Sequence, residues 1–365
     1  MEKRTNRMLE IYTFLKQAIA EGVYVEDDLL PTDLQLAEQF GVSRPTVARA
    51  VKKLQAEGQV GRKPGYGTYI IPQPLAEPSS AERVFGLLIP ALGETEIFEP
   101  ICGQIANLAD SHHFSLLWGG GGTLHDRGLG NALQLAEKYV AQKIDGVFFA
   151  PLELIPEAAE QNARIVAMFT AASIPVVLLD SDIVPPPLRS AHDLIGINNI
   201  NAGFTLARHL IDRGCQSIGF ITRPNIAGTV HMRLIGAREA VLQAELPHDS
   251  LSVIEIDTAV EAFAIGTTWD ALDGLICYND ALAAPLLVEL DKHGVNIPRD
   301  LKICAFDDVK YANLIKIPLT TYRQPCRDIG TGAVDAMLAR IRQPDAVARM
   351  LQLQGELIVR TSTEQ

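Results

Sequence analysis

Cysteine is scarce in this sequence. Its 365 residues include five cysteines, an odd number, with no CxxC pair among them. So dispersed a set does not predict a disulfide framework or a zinc site, and it favours a protein of the reducing cytoplasm. We expect neither a metal nor another cofactor. The five positions are Cys102, Cys215, Cys277, Cys304 and Cys326.

Long hydrophobic runs are also missing. The most apolar run, residues 165–179, contains Pro175 and is shorter than the roughly 20 apolar residues that span a bilayer. The N-terminus reaches charged residues before any apolar stretch of signal-peptide length. We therefore expect no membrane association, and we read residues 165–179 as the end of a helix followed by a buried strand. No HExxH or GxSxG motif occurs, so metalloprotease and α/β-hydrolase activity have no support.

Positive charge is in the minority overall but not near the N-terminus. The formal net charge is -12, yet residues 1–72 hold ten Lys or Arg against nine Asp or Glu. Residues 44–63 hold six basic side chains against a single acidic one, Glu57. A run of charge often marks only a solvated helix face. This segment would nevertheless attract a polyanion, and the acidic remainder of the chain would repel one.

The N-terminal residues predict three helices. Apolar residues recur at helical spacing from Met8 to Ile19, and Thr32 is placed to cap a short second helix that runs through Phe40. Gly41 then permits a turn, and Ser43 precedes the third helix, whose first turn tolerates Pro45. Two helices joined by such a turn form a helix-turn-helix unit, whose second helix enters the major groove.

In the third helix, one face is apolar and the other is basic. The residues at the spacing i, i+3, i+4, i+7, which we expect to point inward, are Val47, Ala50, Val51 and Leu54. The residues that we expect to point outward are Arg44, Pro45, Thr46, Ala48, Arg49, Lys52 and Lys53. Arg44 and Thr46 are at the end that would reach base edges, and Arg49 and the two lysines are placed to contact phosphates.

A hairpin is predicted directly after this helix. Residues 59–63 and 67–71 are strand-like and flank a turn that contains Gly65 and Tyr66. Such a hairpin is a wing, in which Arg62 and Lys63 would face the sugar-phosphate backbone. We expect this DNA-binding domain to span residues 1–71, followed by a proline-rich linker over residues 72–83.

The remaining residues, 84–365, alternate strand-like runs with helical stretches. Continuous apolar strands with helical crossovers predict parallel sheets flanked by helices, and their number favours two lobes over one sheet. The predicted strands lie within residues 84–90, 114–120, 146–151, 175–181, 194–198, 217–222, 252–257, 274–279 and 301–308. Ligands bind at the carboxyl ends of such strands. The polar residues there are Asp180, Asn198, Asn279, Asp280, Asp307 and Asp308.

Residues 30–70, LPTDLQLAEQFGVSRPTVARAVKKLQAEGQVGRKPGYGTYI, resemble the winged-helix DNA-binding module of GntR-type bacterial regulators. The resemblance implies that this segment binds double-stranded operator DNA. A winged helix that binds another protein is the alternative. The candidate DNA-contacting residues are Ser43, Arg44, Pro45, Thr46, Arg49, Lys52, Lys53, Arg62, Lys63, Gly65 and Tyr66.

The order of segments over residues 84–360 resembles the effector domain of LacI/GalR-type repressors, whose fold is periplasmic-binding-protein-like. Matching pieces include KIDGVFFAP, IGINNINAGFTLARHLIDRGCQSIGFI, GLICYNDALA and VNIPRDLKICAFDD. This pairing of domains is that of arabinose-repressor-like regulators. It implies a homodimeric, non-enzymatic repressor that a small effector releases from DNA. The candidate effector-binding residues are Phe98, Trp118, Asp180, Thr229, His231, Arg233, Asn279 and Asp307.

We expect the effector to be a neutral monosaccharide, with a pentose such as arabinose favoured by the domain pairing alone. Carboxylates accept paired hydrogen bonds from sugar hydroxyls, Arg and Asn donate them, and Phe98 or Trp118 could cover the ring. Phe98 and Trp118 could equally be part of the hydrophobic core, and Asp307 could serve only as the cap of the following helix. A nucleobase or sugar-phosphate sensor is the alternative effector class. A fused aminotransferase and a sugar-transport component are less well supported by the motifs.

Overall fold

The computed structural model describes residues 2–20, 29–56, 60–63, 67–70, 83–89, 96–119, 129–256 and 269–364. The chain divides into two compact units, Met1–Ala81 and Glu82–Gln365. Residues 72–82 of the predicted linker lie outside the described residues, and Arg83 already begins a strand. Each unit is described by itself.

The first unit contains three helices and a hairpin. They are α1 (Glu2–Ala20), α2 (Asp33–Gln39), α3 (Arg44–Ala56), β1 (Val60–Lys63) and β2 (Gly67–Ile70). The predicted cap at Thr32 is confirmed: its hydroxyl accepts from the Gln35 amide, and the Gln35 side chain accepts from the Thr32 amide. Strands β1 and β2 pair antiparallel, with Lys63 opposite Gly67. The predicted helices and wing are therefore present.

Helix α3 buries its predicted apolar face. Val47, Ala50 and Leu54 are fully buried against α1, α2 and the hairpin. The prediction for Thr46 was wrong, because this side chain is buried. Its hydroxyl lies 3.0 Å from that of Ser43, so the pair closes the start of the helix on its inner side.

The second unit has two lobes, each built on a six-stranded sheet. In lobe 1 the strand order is β13-β7-β6-β5-β3-β4, and all neighbours are parallel. Its strands are β3 (Arg83–Leu88), β4 (Phe114–Trp118), β5 (Gly146–Phe149), β6 (Val176–Leu179), β7 (Asp193–Ile197) and β13 (Met350–Leu353). Its helices are α4 (Phe98–His112), α5 (Leu129–Gln142), α6 (Ala158–Ala171) and α10 (Cys326–Arg342). Helix α6 and strand β6 confirm the interpretation of residues 165–179.

Lobe 2 repeats this plan with the order β14-β12-β11-β10-β8-β9, in which only the β12–β14 pair is antiparallel. Its strands are β8 (Ile218–Thr222), β9 (Leu251–Glu255), β10 (Gly274–Ile276), β11 (Lys302–Asp307), β12 (Thr320–Arg323) and β14 (Glu356–Ile358). Its helices are α7 (Asn199–Asp212), α8 (Gly228–Gln243) and α9 (Asp280–Lys292). All nine predicted strands are confirmed, and β12, β13 and β14 are additional.

The chain crosses between the lobes three times. It passes from β7 to α7, from β12 to α10 and from β13 to β14. Helix α10 packs on β6 and β7 of lobe 1, whereas α7 packs beneath β10, β11 and β12 of lobe 2. Because the strands of each lobe are parallel, their carboxyl ends collect on one edge, and the three crossings form a hinge beside that edge.

Candidate functional site

Arg233 is the central residue of the site and is buried in lobe 2. Its Nε donates to Asn199 Oδ1 and its Nη1 donates to the carbonyl of Tyr278, both at 2.9 Å. The guanidinium carbon lies 4.4 Å from the centre of the Phe306 ring, which gives the charge a cation–π contact. Three elements thus hold one cation, which is 4 % exposed, in a fixed orientation.

Three carboxyl groups share the surroundings of this cation. Glu153 and Asp180 belong to lobe 1, and Asp307 ends strand β11 of lobe 2. Burial and, to a smaller extent, the charge of Asp180 raise the pKa of Glu153 to about 8, against the opposing effect of Arg233. Burial likewise raises the pKa of Asp180 to about 6, and it raises the pKa of Asp307, again against Arg233. Electrostatic interactions with Arg233 therefore join the two lobes.

The backbone turns sharply at two of these carboxyl groups. Asp180 has φ of 65° and Asp307 has φ of 110°, values that non-glycine residues rarely adopt and that cost on the order of 1–3 kcal/mol each. Both residues lie where a parallel strand ends. Backbone strain of this kind is enriched at binding sites.

The cluster also contains acceptors that lack a donor. Gln324 donates through Nε2 to Asp307 Oδ1 at 2.8 Å, which leaves Gln324 Oε1 buried with no partner among the described residues. Asp180 Oδ1 is buried and unpaired in the same way. Unsatisfied buried acceptors cost free energy, so a ligand that donates hydrogen bonds would stabilise this arrangement.

Two further predicted residues reach the same edge. Asn279 caps helix α9: its Oδ1 accepts from the Leu282 amide at 2.9 Å. Because this oxygen accepts from the helix, the Nδ2 group remains to donate to a ligand, which is the role expected for Asn279. Thr229 is buried in the first turn of α8, about one turn before Arg233.

The structure does not bring the other candidates into the cluster. His231 is exposed on α8. Phe98 is buried at the start of α4 within the lobe core. Trp118 is 60 % exposed at the end of the edge strand β4, three strands and therefore about 14 Å from β6. An aromatic cover over the cluster is accordingly not assigned to either aromatic residue.

Two neighbouring carboxylates serve the structure of lobe 2. Asp308 pairs with Arg323 at 2.6 Å and with Arg360. Asp280 is fully buried, and it accepts from the Val309 amide at 3.0 Å and from the Thr321 hydroxyl at 2.7 Å. Both carboxylates are therefore engaged by groups of lobe 2. Neither Asp307 nor Asp308 caps the 3-10 turn that follows, which begins after Val309.

Close helix packing holds Arg233 in place. Helices α7 and α8 cross at Gly236, where a Cβ atom would overlap the Ile200 carbonyl oxygen. Only glycine permits such an approach of the two backbones. The contact sets the position of α8, and with it the position of Arg233.

In the first unit, the predicted DNA-contacting residues form an exposed basic surface. Ser43, Arg44, Pro45 and Arg49 are exposed along the start of α3, as are Lys52, Lys53, Arg62 and Lys63. Two of the cations also have partners within the unit. Arg62 pairs with Asp33 at 2.6 Å, and Lys53 lies 4.0 Å over the ring of Tyr12. Gly65 and Tyr66 lie outside the described residues.

Two family models match the chain. Residues 8–70 match the model described as "Bacterial regulatory proteins, gntR family", and residues 207–363 match that of a periplasmic binding protein-like domain. The chain joins a gntR-family DNA-binding domain to a periplasmic-binding-protein-like domain. The two matches confirm that this two-domain regulator has the expected α/β fold with an N-terminal winged helix-turn-helix. Neither family model describes an enzyme.

Known proteins resemble this two-domain regulator over most of its length. It is 24% identical over 376 residues to the arabinose metabolism transcriptional repressor of Geobacillus stearothermophilus, covering 100% of this chain and 99% of that one. It is also 24% identical over 348 residues to the HTH-type transcriptional repressor PurR of Vibrio vulnificus, covering 92% and 99%. A LacI-family regulator from Enterococcus faecium, solved with bound ribose, has a TM-score of 0.62 at 21% identity and covers 77% of this chain and 98% of that one.

Two features are absent from the described residues of the regulator. None of their helices combines the length and the apolar character needed to cross a membrane. Nor do their His, Cys, Asp and Glu side chains form a group of three or more that could hold a metal ion.

Proposed function

We propose that the protein is a transcriptional repressor that a small neutral sugar releases from its operator. The observation that carries the proposal is the cluster of Glu153, Asp180 and Asp307 around Arg233, drawn from both lobes. A ligand there would contact both lobes at once, and it would favour their closed arrangement in proportion to its differential affinity for that state. A bacterial-type DNA-binding regulator would act in the cytoplasm.

A neutral polyhydroxyl compound suits this cluster best. Its hydroxyl groups can donate to Asp180 Oδ1 and Gln324 Oε1, which are buried and unpaired among the described residues, while Arg233 and the Asn279 amide donate to its oxygens. A sugar phosphate suits it less well, because Asp180 and Asp307 share a single arginine and their charges would oppose a further anion. A pentose such as arabinose is our first choice, supported by the similarity to the arabinose metabolism repressor.

The sugar class can be tested by calorimetry. The protein would be titrated with L-arabinose, D-ribose, D-glucose, ribose 5-phosphate and adenine, and we expect binding to be confined to the neutral sugars. Arg233→Ala and Asp307→Ala should each weaken that binding by roughly tenfold to a hundredfold, because a buried hydrogen bond to a charged group contributes about 1.5–3 kcal/mol. If only adenine or only ribose 5-phosphate bound, the effector would be a nucleobase or a sugar phosphate and not a neutral sugar.

Release from DNA requires a separate test. A duplex selected by the protein from a random pool would serve as the operator, and fluorescence anisotropy would follow its release as the sugar is added. We expect Arg233→Ala to bind this duplex as tightly as wild type and to stay bound at every sugar concentration. Sugar binding that leaves DNA affinity unchanged would contradict the proposed mode of regulation.

We further propose that the protein is a homodimer on DNA. One winged helix covers only half a site, and two related by a twofold axis would match half-sites about 34–36 Å apart, or a multiple of this spacing. Sedimentation velocity at micromolar concentration, with and without the selected duplex, tests the assembly. A monomer under both conditions would rule it out.

A further inference from the structure

A cavity of about 250 Å³ lies at the hinge, beside the cluster of Arg233. Lobe 1 supplies the segment after β6, parts of β7 and β13, and the loop that carries Asp182 and Arg189. Lobe 2 supplies the starts of α7 and α8, including Thr229 and Met232. A molecule in this hinge cavity would therefore touch both lobes where the chain crosses between them.

The wall of the hinge cavity is mostly apolar. The apolar residues that line it are Val184, Pro186, Pro187, Leu188, Leu194, Ile197, Ile200, Met232, Met350 and Leu351. Its charged residues are largely neutralised within the wall: Arg189 pairs with Asp182, which also accepts from the amides of Val184 and Ser190. The amide oxygen of Asn199 already accepts from Arg233. Water would gain few hydrogen bonds from such a surface, so an apolar occupant is favoured.

Asp180 is the exception in this wall. It lines the hinge cavity, and its buried Oδ1 has no hydrogen-bond partner among the described residues. A buried acceptor of this kind favours an occupant that can donate to it. The cavity thus combines an apolar body with one polar end.

The entrance of the hinge cavity is open to solvent and is also apolar. Four of its lining residues keep exposed hydrophobic side chains: Leu188 66%, Ile200 44%, Met350 40% and Leu351 43%. Single exposed hydrophobic residues are ordinary on protein surfaces, but a group of them around a cavity marks a binding site. A ligand can therefore enter without the lobes having to separate.

The volume limits the size of the ligand. An engineered apolar cavity of about 150 Å³ accepts benzene, and pockets for drug-sized molecules begin near about 300 Å³. The hinge cavity lies between these values at about 250 Å³. One aromatic ring with a substituent, or a short alkyl chain of similar bulk, matches it.

We propose that the hinge cavity binds a small amphipathic molecule, with an apolar ring or chain held among Val184, Met232 and Leu351 and a single donor group directed at Asp180 Oδ1. This site lies beside the sugar site proposed above and shares Asp180 with it, but it stands whatever ligand the cleft takes. Because both ligands reach Asp180 and both touch the two lobes, occupancy of the hinge cavity changes the affinity of the cleft for its own ligand.

Phenol, toluene and benzoate provide the test, in the absence of sugar and DNA. Ligand-observed NMR with the full-length protein should show that phenol binds at least about tenfold more tightly than toluene, since only phenol donates a hydrogen bond. Benzoate should not bind, because it places a second anion beside Asp180. Val184→Phe fills the cavity and should abolish phenol binding, whereas Val347→Phe adds the same bulk at a position that is 86% exposed and should leave it unchanged.

A crystal of the wild-type protein soaked in 4-bromophenol gives an independent readout that does not depend on a variant folding. The anomalous bromine signal should lie among Val184, Met232 and Leu351, with the hydroxyl group toward Asp180. Bromine density elsewhere, equal binding of phenol and toluene, or undiminished phenol binding to a folded Val184→Phe protein would each overturn the proposal.

Discussion

Gly203 of helix α7 lies directly against the backbone of Arg233 in helix α8, so close that a Cβ atom at Gly203 would overlap the Arg233 carbonyl oxygen. Arg233, which lies at the centre of the candidate site, is thus positioned by Gly203, a residue with no side chain. We expect Gly203→Ala to separate the two helices and to displace the Arg233 guanidinium. Overpacking of this kind costs about 1–3 kcal/mol of unfolding free energy, and sugar affinity should fall with it.

Gly103→Ala is the matched control for this substitution. Gly103 lies in α4, and a Cβ atom there would meet no atom of the described residues within 4 Å outside its own stretch of helix backbone. Alanine at this position should raise helix stability by up to about 1 kcal/mol. Urea unfolding and calorimetry would be measured on both variants. A Gly203→Ala protein with wild-type stability and sugar affinity would show that the helix contact does not position Arg233.

The raised pKa of Glu153 predicts a pH-dependent stability. Between its ordinary value of 4.5 and about 8, this carboxyl keeps its proton in the folded protein and loses it in the unfolded chain. The unfolding free energy should therefore fall as the pH rises through this window, by up to about 1.4 kcal/mol per pH unit. Glu153→Gln should flatten the decline in urea unfolding measured from pH 5 to pH 8, whereas Glu160→Gln, at an exposed position of the same lobe, should keep the wild-type slope. Equal slopes for all three proteins would contradict the prediction.

Asp307 and Asp308 are adjacent but should differ in the effect of the same substitution. Asp308→Asn breaks contacts with Arg323 and Arg360 and should lower the unfolding free energy by about 3 kcal/mol. Asp307→Asn keeps the shape of its side chain and should leave the fold intact while weakening sugar binding by at least about tenfold. Thermal unfolding and calorimetry separate the two effects, and a reversed pattern would exchange the roles assigned to the two aspartates.

A hydrogen bond between the two lobes can be removed by a single substitution. Burial raises the pKa of Tyr311, and so does the hydrogen bond that its hydroxyl donates to Glu96 of lobe 1. The Leu154 amide also donates across the lobes, to the Asn225 carbonyl at 3.0 Å. Because Tyr311→Phe removes one of these contacts, it should weaken sugar affinity by up to about tenfold through the loss of about 1 kcal/mol. Calorimetry measures the affinity, and DNA binding without sugar should be unchanged. Unaltered sugar affinity would mean that the contact does not favour the sugar-bound arrangement.

The basic surface of the first unit predicts two distinct effects on DNA binding. Arg44→Ala should cost about 1–3 kcal/mol on the selected duplex and relax its sequence preference, because Arg44 is exposed at the start of α3, where base edges are read. Lys52→Ala should weaken binding to all duplexes alike and reduce the salt dependence. Anisotropy titrations at several salt concentrations measure both. If the Arg44→Ala protein kept its full sequence preference, an element other than the start of α3 would have to read the bases in the major groove.

Strong local signals explain how much of the fold could be predicted. The nine predicted strands are continuous and apolar, and the wing and the Thr32 cap follow from short-range rules. Strand β12 could not be recognised, because Thr320 and Thr321 are polar yet fully buried, with hydroxyls bonded to Arg360, Thr363 and Asp280. Strands β13 and β14 are short and partly exposed at sheet edges, so no apolar run marks them.

The candidate site was predicted in part. Asp180, Arg233 and Asp307 could be placed together from strand ends and family resemblance, but Glu153 was missed. Glu153 lies shortly after the end of β5, in the sequence Pro-Leu-Glu. The rule that ligands bind at the carboxyl ends of strands would have included Glu153 if the few residues after each strand had been considered as well. The burial of Thr46 and the use of the Asn279 oxygen as a helix cap depend on tertiary contacts and capping geometry, which side-chain spacing alone does not reveal.

The three crossings between the lobes also govern how the chain can fold during its synthesis. Strand β13 completes the sheet of lobe 1 beside β7, and strand β14 completes that of lobe 2 beside β12. Neither sheet can therefore be finished until residues 350–358 have left the ribosome, although most of lobe 1 is made long before. The newly made β7 must wait with one edge unpaired, and an open edge of this kind promotes aggregation. The winged helix has no such dependence and can complete its core from the first 70 residues alone.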